Sequence, residues 1–153
     1  MKISIEPMIV AEVLAIQRQP SQRVQLGLER DMSWEEACSL ADGPGEAWTV
    51  RVAEGDSWRI VACLGLRETF PGAQAVAWAI LSENVGRAHL SITRFARRRI
   101  AESPLRRIEA IVRADVPAEV LWAELVGMKA AHVLRCFGAR SETHVLFERI
   151  RED

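Results

Sequence analysis

Two hydrophobic periods alternate along this chain, and their order predicts a mixed sheet. Lys2 to Glu6 carries Ile3 and Ile5 on one face and is closed by Pro7, which reads as a short strand. Met8 to Gln17 spaces Ile9, Val13 and Ile16 as a helix does, and Gln19 to Arg30, with Pro20-Ser21, fits either a turn or the tail of a helix. Ser33 with Glu36 three residues later has the form of a capping box. A second helix therefore starts there, with Trp34, Ala37, Cys38 and Ala41 as its apolar side, and Asp42-Gly-Pro-Gly45 stops it. From Ala47 the period is two. Ala47 to Ala53 and Ser57 to Leu66 alternate around the turn Glu54-Gly-Asp56, and after Thr69-Phe-Pro-Gly72 the run Ala75 to Leu81 completes an antiparallel meander.

The stretch from Ala73 to Asp115 organises the rest. Ala75 to Leu81 reads as a buried strand, Ser82-Glu-Asn-Val-Gly86 as a turn, Arg87 to Ala101 as a helix, and Leu105 to Val112 as a strand. A strand, a crossover helix and a further strand give two parallel neighbours joined right-handedly. The helix start then faces the carboxyl ends of both strands, where open α/β sheets bind ligands and where helix N–H groups favour anions. Ala114-Asp-Val-Pro117 is a loop into another helix, with Ala118, Leu121, Trp122 and Leu125 as its apolar side and Gly127 as C-cap. Lys129 to Phe137 and Glu142 to Arg151 are two last strands about the turn Gly138-Ala-Arg140. The order βα(α)βββαβαββ is an α/β (α+β mixed) fold in one domain, residues 1–153, with a mostly antiparallel sheet of six to seven strands and helices on both faces.

Composition narrows the partners. A formal charge of −1 with 27% charged residues argues against nucleic acid and against an anionic membrane. No run reaches membrane-spanning length, and the start Met-Lys-Ile-Ser-Ile-Glu-Pro does not read as a signal peptide, so a soluble intracellular protein is expected. Locally, Arg87, Arg94, Arg97, Arg98, Arg99, Arg106 and Arg107 make residues 87–107 strongly basic. Cys38, Cys63 and Cys136 form no CxxC pair and read as buried thiols in a reducing compartment. His132 and His144, on the last two strands, have no companion at metal-ligand spacing, so no metal is expected. Most of the tryptophans read as core, and Trp78 borders the strand-end cleft as a wall of an acyl or substrate pocket.

The element order, with Leu121-Trp-Ala-Glu-Leu-Val-Gly-Met128 before two antiparallel strands, resembles the GNAT superfamily of acyl-CoA-dependent N-acyltransferases over nearly the whole chain. Within it, Val61-Ala-Cys-Leu-Gly-Leu66, Phe70-Pro-Gly-Ala73, Ala77-Trp-Ala-Ile-Leu-Ser82, Ile108-Glu-Ala-Ile-Val-Arg113 and Trp122-Ala-Glu-Leu-Val-Gly127 are similar to GNAT-like proteins of tailed bacteriophages. The resemblance implies a sheet splayed between residues 75–81 and 107–113, with acetyl-CoA in the splay. Leu81, Gly86, Arg87, Ala88 and His89 would hold that cofactor, its pyrophosphate on the helix start. It implies an amine or host-protein acceptor, a location in the host cytoplasm or the virion, and is compatible with a homodimer.

Two departures from the family pattern bear on chemistry. The pyrophosphate loop usually opens with Gln or Arg, and here Glu83 stands at that place in Glu83-Asn-Val-Gly-Arg-Ala88. Many members use a Tyr ahead of the helix end as general acid; this chain has no Tyr, and Ala123 aligns there with Trp122 beside it. An indole N–H donates a hydrogen bond but cannot act as an acid. Glu83, His89 and Asp115 are the base candidates, with the carboxylates Glu83 and Asp115 assigned to deprotonation. Asp115 also reads as a pantetheine contact or as the N-cap of the following helix. Three readings follow: an active N-acyltransferase, a catalytically silent GNAT-fold protein of virion assembly or packaging, and a host-protein binder acting through the Arg-rich helix.

Overall fold

The computed structural model describes residues 1–16 and 31–152, so the reading of Gln19 to Arg30 lies outside the described residues. In chain order the elements are β1 (Ile3–Pro7), α1 (Val10–Ala15), α2 (Trp34–Ala41), β2 (Gly45–Glu54), β3 (Ser57–Phe70), β4 (Gln74–Leu81), α3 (Ala88–Glu102), β5 (Arg107–Arg113), α4 (Pro117–Leu125), β6 (Lys129–Phe137) and β7 (Glu142–Ile150). The strands form a 7-stranded sheet in the order β1-β2-β3-β4-β5-β7-β6, antiparallel everywhere except between β4 and β5. Among the described residues no helix is long and apolar enough to cross a membrane.

The junction between β4 and β5 shapes everything near it. These strands pair only at Gln74↔Arg107, Ala75↔Ile108 and Val76↔Glu109, while the outer pairings run on to Ala62↔Leu81 and Arg113↔His144. Past Val76 and Glu109 the two strands part toward their carboxyl ends, which opens a wedge inside the sheet. That is the splay implied by the resemblance.

The helices divide between the two faces. Met8, Val13, Ile16 and Ala37 from the α1 and α2 side pack on Cys63 and Ile80, while Ala88, Ile92, Ala96 and Ile100 of α3 and Ala123 of α4 pack on Val61, Leu64, Ile108 and Phe147. Phe147, Ile80, Ile92 and Ile108 are each 0% exposed, and each such side chain contributes about 1.5–3 kcal/mol of burial free energy. On β4, Trp78 and Ile80 join the first cluster, and Ala75, Ala77, Ala79 and Leu81 join the second. The buried positions of α3 recur every four residues with alanine at two of them, so the helix lies close to the sheet and turns Arg94, Arg97 and Arg98 outward. Its last carbonyls are closed by Arg149, which donates to Ile100 O and Leu105 O at 2.8 Å and to Ser103 O at 3.2 Å.

Several local expectations are corrected. Leu121 and Leu125 of α4 are exposed and Ala123 is buried, because a helix apolar on nearly all sides offers no period from which to choose the inward face. Trp34 and Trp58 are exposed rather than core. β3 runs past Leu66 to Phe70, with an irregularity between Glu68 and Phe70 that alternation does not reveal. Cys136 is exposed, at φ 53 beside an irregular stretch of β6, so only Cys63 is a fully buried thiol, its pKa pushed up to about 12 mainly by burial. Across β6 and β7, His144 pairs with Leu134 and His132 with Leu146.

Candidate active site

A cavity of ≈ 540 Å³ occupies the wedge and the space between α3 and α4. Ala77 and Ala79 of β4, Ala110 of β5, Ala96 of α3 and Ala123 of α4 line it, and these small side chains are what keep it open. Leu81, Trp78 and His89, three residues expected at the site from the sequence, border this space. Its walls are mainly apolar, as ligand pockets usually are, with a few polar groups at each end.

One end is the turn from β4 into α3. Gly86 has φ 50, and a Cβ built there would come no closer than 4.0 Å to Asn84 O, so glycine is required by the left-handed backbone and not by lack of room. α3 begins without a side-chain cap at Arg87. The Ala88 and His89 N–H groups bond back to Val85 O and Gly86 O, both at 3.2 Å, so at this helix start the N–H groups of Gly86 and Arg87 are left without a backbone acceptor among the described residues. Gly86 and Arg87 are exposed, and Ala88 is 0% exposed, where a larger side chain would push α3 from the sheet.

Close by, a hydrogen-bonded cluster joins α3 to α4. Trp122 Nε1 donates to Thr93 Oγ1 at 2.8 Å, the Thr93 hydroxyl donates to His89 O at 2.8 Å, and Thr93 Oγ1 lies 3.3 Å from His89 Nδ1. The His89 and Trp122 rings meet edge to face, with centroids 5.5 Å apart. At the far end of the cavity Arg99 grips Glu46 with two N–H groups, which raises the arginine pKa, and lies over the Trp48 ring at 5.5 Å. The indole N–H groups of Trp48 and Trp78 are buried with no acceptor among the described residues. Donors left open beside a cavity are free to meet a ligand oxygen.

The carboxylates expected to act as bases sit elsewhere. Glu83 is exposed in the turn and does not line the cavity. Asp115 receives Arg113 Nε at 2.9 Å and a second guanidinium N–H at 2.6 Å, and this pairing is the main cause of a pKa below the usual carboxylate value. It is exposed, lies outside the cavity lining, and does not cap α4, which starts at Val116 with no side-chain cap and with Pro117 in its first turn. Thr93, Glu46 and Arg99 were not read from the sequence. Thr93 stands one helical turn from His89, a spacing that was there to see; Glu46 and Arg99 are 53 residues apart and left no local sign. Among the described residues no group of three His, Cys, Asp or Glu side chains gathers as a metal site.

No protein-family model matches the sequence, and no curated protein matches it. Solved structures do. A putative phosphinothricin N-acetyltransferase superposes with a TM-score of 0.78 at 11% identity, over 99% of this chain and 100% of that one. The spermidine N-acetyltransferase of Vibrio cholerae, in complex with CoA and spermine, gives 0.72 at 14% identity over 97% and 95% of the two chains. A GNAT superfamily phosphinothricin acetyltransferase from Sinorhizobium meliloti, in complex with AcCoA, gives 0.72 at 14% identity over 98% and 89%. Likeness at such identity speaks for architecture and leaves the reaction to the site. The chain has the GNAT acetyltransferase fold.

Proposed function

We propose that this protein is an acyl-CoA-dependent N-acyltransferase that takes acetyl-CoA into the β4/β5 splay and passes the acetyl group to an amine. The observation that carries the reading is the coincidence of three features: strands that part after Val76 and Glu109, a ≈ 540 Å³ apolar cavity in the gap, and an uncapped helix start at its edge. Acetyl-CoA would supply an activated thioester carbonyl and a thiolate leaving group. The residues fit that group. The Gly86 and Arg87 N–H groups, with the Arg87 guanidinium, offer donors and positive charge to a pyrophosphate. Ala77, Ala79 and Ala110 leave width for a slender chain, and Leu81 walls the entrance side of β4.

A solved spermidine N-acetyltransferase of this fold, in complex with CoA and spermine, supports an amine as acceptor. Of the two carboxylates read as deprotonating groups, Asp115 is committed to Arg113 and holds a proton less tightly than an ordinary carboxylate, which leaves Glu83 as the carboxylate candidate. The finer reading is a protein of the tailed-phage type, working in the host cytoplasm or carried in the virion; it rests on the short phrases of sequence quoted above. The absence of Tyr and the pairing of Asp115 favour a second reading, a catalytically silent member of the fold.

Thiol release from acetyl-CoA, measured over a panel of polyamines, small amines and protein lysines, separates the two. Turnover of at least one amine class is expected. Binding of acetyl-CoA with no turnover of any amine would establish the silent reading.

A further inference from the structure

We propose that His89 carries the proton of the acyl transfer, with Thr93 and Trp122 fixing its tautomer; this rests on the acyltransferase reading above. Thr93 has one hydroxyl proton and three close neighbours. The His89 carbonyl oxygen, 2.8 Å away, can only accept, and Trp122 Nε1, also 2.8 Å away, can only donate. Of the two acceptors within reach, the carbonyl one turn back is nearer by half an ångström than His89 Nδ1 and takes the hydroxyl proton, a bond that helical threonines often make. The oxygen that remains can only accept. His89 Nδ1, 3.3 Å from it, must then carry the ring proton when the imidazole is neutral. The lone pair is left on Nε2, which has no hydrogen-bond partner among the described residues, on a ring that lines the cavity and is steadied by its edge contact with Trp122.

The other titratable groups around the cavity are held differently. Glu46 and Arg99 bind one another, and Glu119 lies in the field of Arg113. With no Tyr in the chain, one ring serves twice. The amine nitrogen attacks the thioester carbonyl carbon and gives a proton to Nε2. A C–N bond forms, the C–S bond breaks with its electron pair leaving on sulfur, and the imidazolium returns the proton to that thiolate. The ring ends neutral, and amine plus thioester become amide plus thiol with nothing else consumed.

The first test needs neither a variant nor turnover. Nitrogen-15 spectroscopy of the His89 ring, at a pH where it is neutral, should find the proton on Nδ1. Thr93→Val should give a mixture of tautomers, and Thr93→Ser should keep the wild-type pattern. In the thiol-release assay, His89→Gln should lower kcat by about 10²–10⁴-fold, the range of a general acid–base group, with little change in the acetyl-CoA KM. Thr93→Val and Trp122→Phe should lower kcat by up to about 100-fold through misorientation, with Thr93→Ser restoring most of it. A proton found on Nε2, or wild-type kcat in His89→Gln, overturns the role of His89 and leaves the acyltransferase reading standing. A wild-type protein that turns over no amine overturns both.

Discussion

The two faces of the sheet begin their helices differently. On the α1 and α2 face each start is closed by its own glutamate: Glu12 accepts from Ile9 N–H at 3.0 Å, and Glu36 accepts from Ser33 N–H at 2.7 Å while Ser33 Oγ accepts from Glu36 N–H at 3.2 Å. On the α3 and α4 face neither start has a side-chain cap. A missing cap costs about 1 kcal/mol, so an open start on the face that also carries the cavity is stability forgone where a ligand would restore it. One face closes its helix starts with its own side chains, and the other leaves them open to an anion.

The largest expected effect on stability belongs to the closed face. Glu12→Ala removes the cap of α1 and one carboxylate partner of Arg51, leaving that guanidinium, among the described residues, only Glu6 at 3.5 Å. Leaving a half-buried charge so poorly compensated should cost about 3 kcal/mol in urea denaturation, while the affinity for acetyl-CoA stays the same. A parallel loss of affinity would mean that the faces are not separable.

On the open face Gly86→Val should act on both properties. The left-handed backbone at φ 50 costs an L-residue about 1–2 kcal/mol, and affinity for acetyl-CoA should fall by at least about tenfold as the turn rearranges. A variant with wild-type stability and wild-type affinity removes the pyrophosphate assignment. Arg87→Ala is the smallest change and the sharpest contrast with Glu12→Ala. Its stability should stay within about 0.5 kcal/mol of wild type, because Arg87 is exposed and has no ion-pair partner among the described residues. Acetyl-CoA affinity should fall at low ionic strength, and the difference should shrink as salt is added.

What the sequence disclosed follows the same division. The Ser33 and Glu36 box, the Asp42-Gly-Pro-Gly45 stop and the turn ending at Gly86 are local chemistry, decided within a few residues, and each stands in the structure. The β4-α3-β5 crossover was legible because a strand period, a helix period and a strand period follow one another between Gln74 and Arg113. The site was less so. Trp122 meets Thr93 across 29 residues and Arg99 meets Glu46 across 53, and neither pair follows from any spacing. Asp115 looked like a cap because Asp before Pro often is one, yet Arg113, two residues back on β5, takes both of its oxygens. The inward face of α4 was read from Leu121 and Leu125 when burial had gone to Ala123, since Pro117 to Leu125 is apolar on most sides.

Calorimetric titration of the wild-type protein with acetyl-CoA tests the central claim most directly. A splay built to receive this group predicts saturable binding of one molecule per chain, weaker in high salt because phosphates meet Arg87 and the α3 start. No saturable heat up to about 1 mM ligand, an affinity of no more than about 4 kcal/mol, would contradict the assignment of the cavity to acetyl-CoA.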